Sequence, residues 1–362
     1  MSTQTAEPPT TTNSGDGSDD ERVRSQSVLT RLLTRPEFGA LVAVVLVWGF
    51  FAVVASDNNF ISTQTTAAIL NRAAPLGILA VAVALLMIAG EFDLSVGSVI
   101  GFAGMAIMLL VSSSDVGGLA WPLLPALVVA LVITAGVGFL NGIMVITTRL
   151  PSFIITLGAL FVFRGLATAI PRTVTNRTQL GGFDTIPGAD AIVSLFGRKI
   201  DLFGARFDIS IAWWLGLTLL AWFVLSRTPI GNWIFGVGGD DNASRNVGVP
   251  VTRLKIGLFM VTASAAFLVA LIQVASFGGA DSLRGELQEF NAIIAAVVGG
   301  VLLTGGYGSV IGATLGALIF AMVQQGIIVT GVDGDWFKVF VGAILVVAVV
   351  FNNFIRTQAQ KR

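Results

Sequence analysis

Cysteine and histidine are absent from the 362 residues, and tyrosine occurs once. Their absence excludes disulfides, thiol nucleophiles, imidazole bases and every zinc site that depends on either residue. Charge is scarce as well: Asp, Glu, Lys and Arg make up 12% of the chain, against roughly 25% in an average soluble domain. The formal net charge is zero and no Lys/Arg cluster is interleaved with aromatics, so no nucleic-acid partner is expected. A phosphate loop is also missing. The four lysines follow Arg198, Leu254, Phe337 and Gln360, so no Gly-Lys-Ser/Thr motif exists and any ATP must be bound by another polypeptide. No metal or cofactor is implied.

What the chain has in excess is apolar surface, with 54% hydrophobic residues and a mean hydropathy of +0.86. A helix needs about 20 mostly apolar residues to cross a hydrocarbon core of about 30 Å, which leaves room for about ten spans. The pattern predicts an all-α integral membrane fold, with spans near 38–55, 74–90, 95–112, 123–146, 152–170, 209–226, 254–276, 292–304, 309–331 and 336–354. Only Glu91, Phe92 and Asp93 separate the second span from the third, and the eighth is short, so discontinuous or tilted helices are expected there. Residues 1–36, rich in Thr, Ser, Asp, Glu and Gln, hold too little apolar surface to offset the entropy of ordering and are expected to be a disordered tail. The first apolar run starts only near Phe38 with no small-residue cleavage pattern behind it, and reads as a membrane helix rather than a signal peptide. Residues 37–355 then form the membrane domain and 356–362 a second short tail.

Short cytoplasmic loops carry an excess of Lys and Arg. With the amino terminus inside, that side collects Arg22, Arg24, Arg31, Arg35, Arg149, Arg227, Arg245, Arg253, Lys255, Arg356, Lys361 and Arg362, which places both termini in the cytoplasm. The segment 171–208 runs against this, carrying Arg172, Arg177, Arg198, Lys199 and Arg206 outside, but longer loops obey the rule less strictly. It is expected to be the largest external element, with Pro187, Gly188 and Phe196 pointing to a folded loop. Many of the 42 glycines fall inside spans, among them Gly136, Gly138, Gly142, Gly299, Gly300, Gly312 and Gly316, where small residues let helix backbones approach closely. Gly97-Ser98-Val99-Ile100-Gly101 recurs as Gly308-Ser309-Val310-Ile311-Gly312, each after a break, which is weak support for an internal repeat.

Four ordered blocks carry a resemblance to a known family. The first, Gly90-Glu91-Phe92-Asp93-Leu94-Ser95-Val96-Gly97-Ser98, is similar to the signature Gly-Gly-Ile-Asp-Leu-Ser-Val-Gly-Ser, with Glu91 and Phe92 as departures. The second runs from Gly138 to Gly165 through Leu140-Asn141-Gly142, Leu150-Pro151-Ser152-Phe153-Ile154, Thr156-Leu157-Gly158 and Arg164-Gly165. The third is Gly236 to Lys255 and the fourth Ala292 to Gly316. Together they resemble the ribose/xylose/galactose-type permease subunits of bacterial ABC importers, within the group that includes branched-chain amino acid permeases. The likeness covers nearly everything from about residue 70 to 354. It implies a permease in the bacterial inner membrane that pairs with a second copy or a close paralogue. It also implies an ATP-binding subunit and an extracytoplasmic sugar-binding protein as partners, and a monosaccharide or related polyol as the solute.

Two sets of residues stand out. Asp93, Ser95 and Ser98 sit at the start of the third span, where a carboxylate and hydroxyls can satisfy unpaired backbone N–H groups. The alternative is that Glu91, Asp93, Ser95, Ser98 and Asn141 line the substrate path, since charge near a membrane core is costly and marks function. In the loop 227–253, Asp240 or Asp241 can cap a short helix over 242–247 that Gly248 ends. The resemblance makes this the coupling helix that docks on the ATP-binding subunit, through Gly239, Asp240, Asp241, Asn242, Ala243, Arg245 and Gly248. Here the family shows Gly-Gly-Asn followed by two alanines, where this chain has Gly238-Gly239-Asp240-Asp241-Asn242-Ala243-Ser244. An ion-coupled secondary transporter is the runner-up, disfavoured by the shortage of intramembrane ionisable groups. An intramembrane enzyme is weaker still, since no nucleophile and base pair is placed by sequence.

Overall fold

The computed structural model describes residues 36–337 together with 339, 340, 342, 343 and 346. The predicted tails over 1–36, save Pro36, and 356–362, and most of the tenth expected span, lie outside the described residues. Helix α1 covers Pro36–Val54, α2 Thr63–Ile88, α3 Val96–Val111, α4 Leu123–Thr148 and α5 Ser152–Thr175. After the short α6, Ala189–Ile192, come α7 Ser210–Arg227, α8 Pro229–Gly239, α9 Asp241–Asn246, α10 Val251–Phe277, α11 Gln288–Val298 and α12 Val310–Val329. Among the described residues seven of these helices are long and apolar enough to cross a membrane, while α3 and α11 are apolar but shorter. Seven helices of spanning length and two shorter ones therefore stand where nine spans, the eighth of them short, were expected.

The longest departure from the expected boundaries is at α2, which begins at Thr63 rather than near 74. Its first turns are polar, and hydropathy alone does not find them. They are helical because the Ser62 side chain caps the N–H of Thr65 at 3.1 Å. They are also held from outside: Asn71 donates to the Arg206 carbonyl at 2.9 Å and accepts from the Asp208 N–H at 2.8 Å. From Ala73 onward α2 is almost wholly buried, at the centre of the bundle and packed against α7, α10, α11 and α12. Helix α4 lies against α10 at Gly138 and Gly142; a Cβ at Gly142 would stand 2.8 Å from the Ile256 Cα. These two glycines let the backbones approach, as small residues do in lipid.

The segment after α5 is folded. Strand β1, Gln179–Gly181, pairs antiparallel with β4, Gly279–Asp281, and β2, Lys199–Leu202, pairs antiparallel with β3, Ala205–Asp208. Phe196 stacks on Trp213, with ring centroids 4.9 Å apart. The five-residue repeat is not reproduced in local geometry. Helix α3 starts at Val96, so Ser98 is inside it and donates to the Ser95 carbonyl; α12 starts at Val310, so Ser309 is its N-cap and accepts from the Gly312 N–H. The same five residues thus sit in two different frames relative to their helices.

Candidate functional site

Between α2 and α3 the chain turns at Gly90, whose φ of +84° favours a residue without a Cβ. It then runs without regular structure through Glu91, Phe92 and Asp93. The exposed backbone donors of such a break need partners in a bilayer. Two hydroxyls of α5 supply them: Ser152 Oγ accepts from the Phe92 N–H at 2.9 Å, and Thr156 Oγ1 accepts from the Leu94 N–H at 3.0 Å. The junction is thereby fastened to α5.

Asp93 is 1% exposed. Its Oδ1 accepts from the Ser95 N–H at 2.9 Å and the Ser95 hydroxyl at 2.6 Å, and its Oδ2 accepts from the Thr262 hydroxyl of α10 at 2.6 Å. Asn141 of α4 donates to Ser95 Oγ at 3.0 Å. Asp93, Ser95, Ser98 and Asn141 are thus brought together, and all four are buried. The geometry differs from the expected helix cap. Asp93 reaches only the N–H of Ser95, the residue preceding α3, so it closes a local turn and ties α3 to α10 instead of capping the first helical turn. Asp93, Ser95 and Asn141 bond side chain to side chain, and Ser98 donates to the Ser95 carbonyl.

Glu91 is not part of this network. Its Oε1 lies 2.7 Å from Lys255 Nζ of α10, with both side chains about nine-tenths buried. Lys255 also reaches Asp241 Oδ2 of α9 at 3.3 Å, and Asp241 Oδ2 takes Arg245 at 3.3 Å. Two carboxylates and two cations therefore balance across the end of α2, the start of α10 and the short α9. Lys255, counted with the cytoplasmic basic residues yet just inside the span expected over 254–276, lies in α10 and is buried. The available signal was a lysine within an apolar run, and intramembrane charge defaults to a paired, functional role.

Helix α9 carries the second set. Asp240 Oδ1 accepts from the N–H groups of Asn242 and Ala243, both at 2.9 Å, which is N-capping geometry. Gly248 has φ +87° and donates to the Arg245 carbonyl, ending the helix. Asn242, Ala243 and Arg245 are exposed. The preceding α8 was not foreseen, although Thr228-Pro229 is a helix-start pattern with Pro at the first position. At its end a Cβ on Gly238 would overlap the Ile88 carbonyl, the same carbonyl that accepts from the Gly306 N–H at 2.8 Å. The ends of α2 and α8 and the turn at Gly305 and Gly306 meet there backbone to backbone.

The profile of the family described as "Branched-chain amino acid transport system / permease component" matches residues 65–349. The chain belongs to this permease family. Three relatives are similar over most of the permease. The fructose import permease protein FrcC of Rhizobium meliloti is 28% identical over 328 residues, covering 91% of this chain and 88% of the relative. The xylose transport system permease protein XylH of Escherichia coli K12 is 30% identical over 362 residues, covering 86% and 90%. The autoinducer 2 import system permease protein LsrC of Yersinia pestis (strain Pestoides F) is 29% identical over 325 residues, covering 89% and 86%. No solved structure is matched. The matched residues take in the α2–α3 junction, α9 and Lys255, so both residue networks lie inside the family region of this multi-pass membrane permease.

Proposed function

We propose that the permease is the membrane-spanning subunit of an ATP-driven importer for a monosaccharide or related polyol. A separate ATP-binding subunit docks on α9, a binding protein delivers the sugar from outside the cell, and a second copy or close paralogue completes the membrane assembly. The solute class rests on the fructose and xylose permeases among its relatives. One observation carries the coupling role: α9 is a capped helix exposed on its Asn242 side and joined through Asp241 and Lys255 to Glu91 at the α2–α3 junction. Motion imposed on α9 has a short, charged route to the break between two membrane helices. Both termini and α9 face the cytoplasm in this reading, following the basic residues of the short loops.

The chain has no cysteine, so a single one can be read without background. Asn242→Cys is expected to react with an impermeant maleimide in inside-out vesicles and not in intact cells. Adding the ATP-binding subunit should protect it several-fold. Labelling from outside, or no protection by that subunit, would remove the coupling assignment.

A further inference from the structure

Residues 282–287, between β4 and α11, and Glu289 in the first turn of α11 lie on the glycine face of α3. A Cβ at Gly101 would stand 2.6 Å from the Ser282 carbonyl oxygen and 2.9 Å from that of Arg284, and one at Gly97 would collide with the Gly285 carbonyl and the Glu289 carboxylate. Gly97 and Gly101 are about one helical turn, roughly 6 Å, apart. Arg164, near the middle of α5, donates from one guanidinium nitrogen to these same carbonyls, Ser282 at 3.4 Å and Arg284 at 3.3 Å. Arg284 in turn donates to the carbonyls of Gln273 and Gly279 at 3.2 and 2.9 Å.

The Arg164 side chain is half-buried, and the Glu289 side chain is 3% exposed with an Oε2 that has no partner among the described residues. A buried, unpaired carboxylate oxygen and a half-used guanidinium in the middle of a membrane helix are both costly. A guanidinium offers five N–H donors, and the two carbonyl contacts use one nitrogen. Glu286 lies exposed on the same turn, and with Asp281, whose charge acts on Arg284, three carboxylates stand near Arg164 and Arg284. Beside them Phe102 and Phe163 meet edge to face, with centroids 5.2 Å apart.

Resting on the importer reading above, we infer that Arg164, Glu289 and the turn 282–287 form a recognition site for a neutral polyhydroxyl solute on the translocation path. Free N–H donors and a free carboxylate oxygen suit hydroxyls, which both accept and donate, and an aromatic pair beside a few placed polar groups is the usual make-up of a small-molecule site. The closed network around Asp93 offers nothing comparable, because its groups already satisfy one another.

The test uses the complete importer in proteoliposomes with its ATP-binding subunit and binding protein, with D-xylose and D-fructose as probe sugars and D-xylonate as the charged comparison. Glu289→Gln and Arg164→Lys are expected to lower sugar uptake about tenfold, the scale of one lost hydrogen bond to a charged group. ATP hydrolysis and detergent thermal stability should stay within twofold and a few degrees of wild type. Glu289→Gln, which removes a negative charge from the site, should also raise uptake of the anion xylonate relative to the sugar, a change that a purely structural role would not produce. Wild-type uptake and sugar preference in both variants would overturn the site while the importer reading stands. Uptake lost only in step with stability would overturn it equally. A wild-type importer that moves neither sugar with ATP would overturn the importer reading and this site with it.

Discussion

Lys255→Met is expected to destabilise the permease by about 3–5 kcal/mol and to abolish uptake. The lysine is 8% exposed and Glu91 9% exposed, so solvent does little to screen the loss of the ammonium. Breaking a buried pair by removing one partner leaves the other charge uncompensated, and that desolvated carboxylate, not the lost attraction, accounts for the magnitude. The second variant separates stability from coupling. Lys255→Met with Glu91→Gln removes both charges, and a buried pair replaced by neutral groups is often close to neutral in stability. The double variant should therefore regain most of its thermal stability and membrane level. It still lacks the bond from Lys255 to Asp241 on α9, so ATP hydrolysis should proceed with little transport. Purified double variant that transports at the wild-type rate per ATP would show that the Lys255 pairs are structural only.

Much of the fold was legible because lipid imposes a simple rule: a helix that crosses it must be apolar over most of its length. That rule located α4, α7 and α12 within a few residues. It failed at the amino end of α2, where Asn71 is polar yet paired with β3, since a hydrogen-bonding partner 135 positions away leaves no local trace. Helix α9 was readable because its signals are local: an Asp two and three residues before the N–H groups it caps, and a glycine at positive φ after it. The ion pairs were not. Glu91 and Asp241 are two of the positions where the chain departs from the family pattern, and only the folded chain shows that both departures converge on Lys255. Grouping Glu91 with Asp93 by their closeness in sequence joined two residues that the structure sends to different networks. The turn 282–287 has neither period nor motif, and nothing short of the fold brings it to Arg164 on α5.

Asp93→Ala is expected to lower stability by about 1–3 kcal/mol, whereas Asp93→Asn should match wild type in both stability and uptake. The difference follows from counting donors. In the native chain Oδ1 accepts twice from Ser95, through its N–H and its hydroxyl, and Oδ2 once from Thr262. Alanine removes both acceptor oxygens and all three hydrogen bonds. Thr262 loses least, because its hydroxyl already has the Phe259 carbonyl at 2.8 Å as a second acceptor. The Ser95 N–H, buried at the break before α3, has no such alternative, and a buried unsatisfied donor costs about 1–3 kcal/mol. Asparagine keeps one carbonyl oxygen for Ser95 and turns its amide toward Thr262, whose oxygen can accept once its own proton goes to Phe259. It also removes a negative charge that no cation contacts among the described residues. Thermal unfolding of the purified variants and sugar uptake at matched membrane levels decide the matter. An Asn variant that folds like wild type but carries no sugar would mean that the Asp93 charge acts on the translocated solute, and the closed network would then have to open during transport.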